Sequence, residues 1–153
     1  MYKKILIPLD NSPIDNVILS HIKPLALLTK AGLVLVHVAE GYAARLQNAL
    51  NLEDSEEIKE DKLYLETKKK ELIKEGFAVK AFLVKGEPAD EILSILEKEQ
   101  CDLIAMSTHG HRFFKDFILG SVAENIRHRT DIPVLMIRAS AKMEFIKNGR
   151  KKA

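Results

Sequence analysis

Two stretches late in the chain decide its architecture: Cys101-Asp102-Leu103-Ile104-Ala105-Met106 and Asp131-Ile132-Pro133-Val134-Leu135-Met136-Ile137-Arg138. Residues 103–106 and 134–137 are unbroken apolar runs. Runs without an alternating polar residue belong to strands buried on both faces, as in parallel sheets covered by helices. Residues 121–128 lie between them and read as a helix, so the unit is strand, helix, strand. The same alternation repeats toward the N-terminus. Residues 4–9 centre on Ile5-Leu6-Ile7. Ile14, Ile18, Ile22, Leu25 and Leu28 then recur at steps of three or four, one face of a helix. Ala31-Gly32 stops that helix, and residues 33–38 form the second strand. Residues 53–75 are charge-dense, with Ile58, Leu65 and Leu72 seven apart, a surface helix with a narrow apolar stripe that Gly76 ends. Residues 77–84 read as a third strand and 87–98 as a helix. Five strands alternating with four helices predict an α/β fold: an open parallel sheet with helices on both faces.

Three local departures carry further expectations. Lys80 interrupts the third strand and Lys85 follows it, a guard against edge pairing that places this strand at a sheet edge. Pro24 removes one amide from the first helix and predicts a kink or a restart. Residues 39–52 show no clear period and form a long loop, of the kind that is functional or mobile.

Composition narrows the class. The chain has 153 residues, 24 Lys or Arg against 22 Asp or Glu, a net charge of +2, and 46% hydrophobic and 30% charged residues. This is the profile of one soluble domain that buries roughly two-thirds of its unfolded surface. The near-neutral balance argues against a nucleic-acid binder, which is usually distinctly basic. Cys101 is the only cysteine, so no internal disulfide or cysteine-based metal cluster forms, and a reducing compartment fits. The first residues hold too few apolar positions for a signal peptide, and no apolar run approaches the ~20 residues that span a bilayer. A cytoplasmic protein without membrane contact is expected. Its charge is unevenly placed. Residues 139–153 hold Lys142, Lys147, Arg150, Lys151 and Lys152 against Glu144, a local +4 that leaves −2 on residues 1–138. The expected organisation is a domain over residues 1–138 and a flexible basic tail over 139–153. An anionic partner held by that tail is the alternative.

Ligands of open parallel sheets bind beyond the carboxyl ends of the strands, where strand order reverses. After the first strand comes Pro8-Leu9-Asp10-Asn11-Ser12-Pro13. Ser12 and Pro13 suit a helix cap and first helical residue, with Asp15 three after the cap. Asp10 is either a turn former or, beside a ligand, an acceptor for ribose hydroxyls. After the fourth strand the chain reads Met106-Ser107-Thr108-His109-Gly110-His111-Arg112, and later Gly120-Ser121-Val122-Ala123-Glu124. Ser121 with Glu124 three later is a capping box, and the helix it opens presents free amides to an anion. Gly110 and Gly120 let backbone approach a phosphate closely; the same residues also serve a plain turn and a helix cap. His109 and His111 flank Gly110, where a protonatable donor makes phosphate binding sensitive to pH near ~6.5, although turn histidines are often merely solvated. His37 lies toward the end of the second strand and borders the same region. Phe113, Phe114 and Phe117 either pack onto the sheet or form a lid or partner surface. No G-x-x-x-x-G-K-[ST], no G-x-S-x-G and no G-x-G-x-x-G after the first strand is present. An acidic pair for phospho-acceptor chemistry is missing too.

These residues resemble the universal stress protein family, whose pattern after the fourth strand is G-x-x-G, nine residues, then G-[ST]. The match is Ser107-x-x-Gly110, nine residues, Gly120-Ser121. The flanks agree: residues 101–106, Val122-Ala123-Glu124, Asp131-Ile132-Pro133-Val134-Leu135, Ile7-Pro8-Leu9-Asp10-Asn11-Ser12, Leu35-Val36-His37-Val38 and Gly86-Glu87-Pro88-Ala89. The resemblance covers residues 3–138. It implies a Rossmann-like sheet of order 3-2-1-4-5 that binds ATP, or AMP or ADP, between strands one and four, with or without Mg²⁺. It implies Asp10 on the ribose and Pro8 and Val38 beside the adenine, with Leu9 among the contacts. Met106, Ser107, Thr108, His109, Gly110, His111 and Arg112 would wrap the phosphates, and Gly120, Ser121, Val122 and Ala123 would hold them at the helix start. Ser107 departs from the pattern's glycine. If that position needs φ > 0, serine costs of order 1 kcal/mol or more; a small hydroxyl can instead donate a hydrogen bond.

The apolar strand Val134-Leu135-Met136-Ile137 forms a sheet edge without a charge, which invites a second chain. Family members commonly dimerise there, so a homodimer is expected. No catalytic residue and no metal ligand is assigned, because the cradle lacks an evident general base and the ribose claims Asp10. The expectation is a dimeric stress-response switch governed by nucleotide occupancy. One rival is a slow ATPase or autokinase with His109 or His111 moving protons. The other is a motif-degraded structural dimer without nucleotide.

Overall fold

Each apolar run of the sequence forms a strand. The structure, a computed structural model, describes residues 1–39, 56–107 and 119–138. Its elements are β1 (Lys4–Pro8), α1 (Ile14–Thr29), β2 (Gly32–Ala39), α2 (Glu56–Lys74), β3 (Val79–Lys85), α3 (Pro88–Glu99), β4 (Leu103–Ser107), α4 (Leu119–Arg129) and β5 (Val134–Ile137). All strand pairs are parallel, in the order β3-β2-β1-β4-β5. The fold class and strand order are those expected. Element ends shift by a few residues, since caps and loop bonds rather than hydrophobicity set them.

Period-two alternation divides the core into two layers. Ile5, Ile7, Leu33, Leu35, Leu103 and Ala105 pack with Val17, Ile18 and Ile22 of α1 and Leu65 and Leu72 of α2. Leu6, Val34, Val36, Ile104 and Met106 face the other way, onto Ala89, Ile92, Ile95 and Leu96 of α3 and Ala123 and Ile126 of α4. Helices therefore cover both sheet faces. The seven-residue stripe of α2 is the side it buries: Ile58, Leu65 and Leu72. Gly76, at φ 96°, follows that helix and donates its amide to the Ile73 carbonyl at 3.0 Å.

The two sheet edges differ in chemistry. At β3, Lys80 Nζ lies 2.7 Å from Glu99 Oε2, and Lys98 lies 5.6 Å from the centre of the Phe82 ring. The Lys80 hydrogen bond holds the Glu99 carboxyl below its ordinary range. At β5, Leu135 and Met136 are each 39% exposed, and Ile137 is buried.

Two local expectations are corrected, and the choice between a kink and a restart at Pro24 is narrowed. α1 runs through Pro24 as one element and does not restart. Ser20 and Pro24 are exposed, so the carbonyl deprived of an amide faces solvent. The left-handed residue that closes α1 is Lys30, at φ 57°, not the Ala31-Gly32 pair. Gly32 already belongs to β2, its amide engaged with the Lys3 carbonyl at 2.9 Å. α4 begins at Leu119, two residues before the expected cap, so Ser121 sits within its first turn. Glu124 lies 3.8 Å from His128 one turn on.

Candidate functional site

Strand order reverses between β1 and β4. β1 leads to β2 and β3 on one side, and β4 leads to β5 on the other. Pairing between β1 and β4 joins Ile5 with Leu103 and Leu6 with Ile104, and goes no further. β1 stays paired with β2 as far as Pro8 and Val36, and β4 with β5 as far as Ser107 and Ile137. The carboxyl ends of β1 and β4 thus part, and parallel sheets bind ligands in a crevice of this kind. Pro8, Leu9 and Asp10 stand on one side of it and Met106 and Ser107 on the other. Val38 ends up beyond Pro8 on the neighbouring strand. The first turn of α4, residues 119–122, starts at the same end of the sheet and carries the positive end of the helix dipole. Leu9, Met106 and Ala123 are buried, Asp10 and Ser121 are exposed, and Ser107, Val38 and Val122 are half-buried.

Ser107 carries no backbone strain. Among the described residues the non-glycine positions with positive φ are Asn11, Lys30 and Gln100. Ser107 is the last residue of β4, paired with Ile137, and serine is tolerated there in extended backbone.

The loop after β1 is anchored by groups that pattern reading passed over. Asp15 is 1% exposed, and its carboxylate accepts the amides of Asp10 (3.2 Å), Asn11 (3.0 Å) and Ser12 (3.3 Å). The Tyr64 hydroxyl of α2 donates to the same carboxylate at 2.7 Å. Ser12, the expected cap, contributes a weaker bond: its Oγ accepts the Ile14 amide at 3.3 Å. Asp15 closes the helix start instead. His37 is buried as well. Its Nδ1 lies 2.8 Å from the Leu9 carbonyl oxygen and its Nε2 lies 3.0 Å from Asp61 Oδ2. Asp61 Oδ1 then accepts the Asn11 side-chain amide at 3.1 Å. Asn11 holds a left-handed backbone, φ 61°, which turns the chain after Asp10.

Burial pushes the Asp15 carboxyl up to about 6, opposed by the Tyr64 hydrogen bond and reinforced by the negative charge of Asp10. The Tyr64 hydroxyl is pushed above its usual range by burial and then by Asp15. An aspartate in the unfolded chain titrates near 3.8. The folded state therefore binds the proton more tightly between those values. What Asp15 adds to stability is full below that window, declines as the pH rises to about 6, and is constant above it.

A model of the universal stress protein family matches residues 1–138. The chain belongs to that family. Universal stress protein MJ0577 of Methanocaldococcus jannaschii is 35% identical over 90% of this chain and 96% of its own length. The solved structure of MJ0577 superposes with a TM-score of 0.75 at 36% identity, covering 92% of this chain and 98% of that one. Two more distant universal stress protein structures share the fold. One, from Archaeoglobus fulgidus in complex with dAMP, has a TM-score of 0.65 at 22% identity, covering 89% and 98% of the two chains. The other, in complex with cAMP, has a TM-score of 0.64 at 17% identity, covering 91% and 98%.

In this universal stress protein, the structure brings Pro8, Leu9, Asp10, Val38, Met106, Ser107, Gly120, Ser121, Val122 and Ala123 to one end of the sheet. Thr108, His109, Gly110, His111 and Arg112 lie outside the described residues, as do Phe113, Phe114, Phe117, positions 40–52 and the basic tail. Among the described residues, no group of three or more His, Cys, Asp or Glu is placed to hold a metal, and no helix is long and apolar enough to cross a membrane. Asp15, Asp61 and Tyr64 were missed. A signal existed for one of them, since Asp61 interrupts the stripe that Ile58 and Leu65 define on α2.

Proposed function

We propose that this universal stress protein is a cytoplasmic homodimeric switch that binds ATP, or AMP or ADP, in the crevice between β1 and β4. The observation that carries this reading is the parting of β1 and β4 at the switch point, with Asp10 at one strand end and the first turn of α4 at the same end of the sheet. The dAMP and cAMP complexes of two relatives support an adenine nucleotide as the ligand class. In this reading Asp10 accepts the ribose hydroxyls, and Pro8, Leu9 and Val38 border the adenine. Met106, Ser107, Thr108, His109, Gly110, His111 and Arg112 surround the phosphates, which the first turn of α4 at Gly120, Ser121, Val122 and Ala123 holds. Any Mg²⁺ arrives with the nucleotide. The domain is residues 1–138, and the basic tail is an appendage. The β5 edge supports the dimer: Leu135 and Met136 expose apolar surface on a strand that, among the described residues, is the last of the sheet.

Native mass spectrometry in the presence of ATP tests both halves of the reading at once. Wild type should run as a dimer with one nucleotide per chain. Asp10→Ala should remain a dimer and bind roughly 10- to 100-fold more weakly, the loss expected for hydrogen bonds to a charged acceptor. Met136→Lys should run as a monomer. Unchanged nucleotide occupancy in Asp10→Ala contradicts the site, and a wild-type monomer contradicts the dimer.

A further inference from the structure

We propose that Tyr64 and Asp61 of α2, acting through Asp15 and His37, are positioning residues of the nucleotide site: they fix the loop after β1 so that Asp10 meets a ribose. This rests on the reading of the β1–β4 crevice as a nucleotide site. The loop between β1 and α1 has its consecutive amides, from Asp10 to Ser12, gathered by one carboxylate, and that carboxylate is held from outside the loop by Tyr64 at 2.7 Å. A second arm reaches the same loop through Asp61, which binds the Asn11 side chain on one oxygen and His37 on the other, while His37 fixes the Leu9 carbonyl. Leu9 and Asn11 flank Asp10 in the chain. Its backbone is thus gripped on both sides, by groups from β2, α1 and α2.

Stability alone is a poor reason for this arrangement. Asp15 is 1% and His37 7% exposed, and buried ionisable groups usually cost more than well-packed apolar ones of similar volume. What such groups supply is a single defined geometry, because a fully bonded buried network tolerates few alternatives. The geometry in question is an unusual one, with Asn11 in left-handed backbone directly after Asp10. The anchors lie on α2, a helix that contributes none of the motif residues. A shift of α2 therefore reaches Asp10 through two side-chain arms, and nucleotide bound at Asp10 acts back on α2.

Tyr64→Phe keeps the ring and removes only the hydroxyl. ATP affinity measured by calorimetry from pH 5 to 8, with amide hydrogen exchange on the same protein, tests the proposal. In wild type the grip on the loop weakens as Asp15 takes up its proton near pH 6, so affinity should fall below that pH. In Tyr64→Phe, affinity at pH 7 should fall roughly 5- to 10-fold, and the midpoint of its pH dependence should rise by about one unit, because the bond that favours the carboxylate is gone. The amides of Asp10, Asn11 and Ser12 should exchange ~10-fold faster. The ionisable groups that bear on Asp15 and Tyr64, namely Asp10, Lys68 and Glu71, and those of the second arm, His37 and Asp61, are the same in both proteins. The nucleotide's own titration is common to both as well, so a moved midpoint reports Asp15. Asp61→Asn gives an independent second variant and should weaken ATP roughly 3- to 5-fold. Faster exchange with unchanged ATP affinity in Tyr64→Phe overturns the proposal and leaves the nucleotide reading standing. A fall in affinity with an unmoved midpoint overturns it too. If wild type binds no ATP while the amides still exchange faster in Tyr64→Phe, the nucleotide reading is what fails, and this proposal falls with it.

Discussion

Replacing Ile104 with alanine should lower the unfolding free energy by about 2–5 kcal/mol, read as a fall in the urea midpoint at unchanged slope. Ile104 is fully buried. It sits on a central strand, paired to Leu6 on one side and Val134 on the other, in the layer closed by α3 and α4. Those neighbours belong to regular elements that relax little, so the deleted groups leave a cavity and the loss includes both transfer and cavity contributions. Since a domain of this kind is stable by only about 5–15 kcal/mol, the change takes a large share of the total. Leu28→Ala is the control. Leu28 continues the sequence periodicity of α1 but is 80% exposed, so its truncation should stay within about 0.5 kcal/mol of wild type. Equal losses at the two positions would contradict the assignment of the core.

Asp15→Ala should show a pH-dependent loss. Above about pH 6 the carboxylate holds three amides and the Tyr64 hydroxyl, but desolvation offsets much of that gain, so the variant should be only about 1–2 kcal/mol less stable. As the pH falls, the folded wild type gains from binding a proton that the alanine variant cannot bind. The gap between the two proteins should therefore widen by about 2 kcal/mol at pH 4.5. Urea titrations of both proteins at pH 4.5 and pH 7 measure it. A gap that narrows toward acid would mean that the folded state holds Asp15 as a stabilised carboxylate, the opposite of its burial.

The parts of the fold that were legible are those fixed by local hydrophobic pattern. Ile5-Leu6-Ile7 and residues 103–106 could only be strands buried on both faces, and alternation along them sends side chains to two layers. The stripe of Ile58, Leu65 and Leu72 stated which side of α2 is buried, and Lys80 marked the β3 edge. What was illegible depends on contacts between distant segments. Asp15 looked like an ordinary residue of a helix start, and Tyr64, 49 positions away, gave no sign of bonding to it. Neither His37 nor Asp61 announced the other. Helix starts also escaped: Ser121 and Glu124 fit a pattern that would open the helix at residue 121, whereas α4 begins at Leu119. The strand-end residues of the candidate site were readable because the resemblance to the universal stress protein family supplied the strand order on which the switch-point rule depends. Their support from α2 was not, because it is tertiary.

Calorimetric titration of the wild-type chain with ATP tests the central claim most directly. The crevice between β1 and β4 predicts saturable binding of one nucleotide per chain with a Kd below about 100 μM. Absence of binding heat up to about 1 mM ATP, at two temperatures so that a vanishing enthalpy does not hide it, would contradict it.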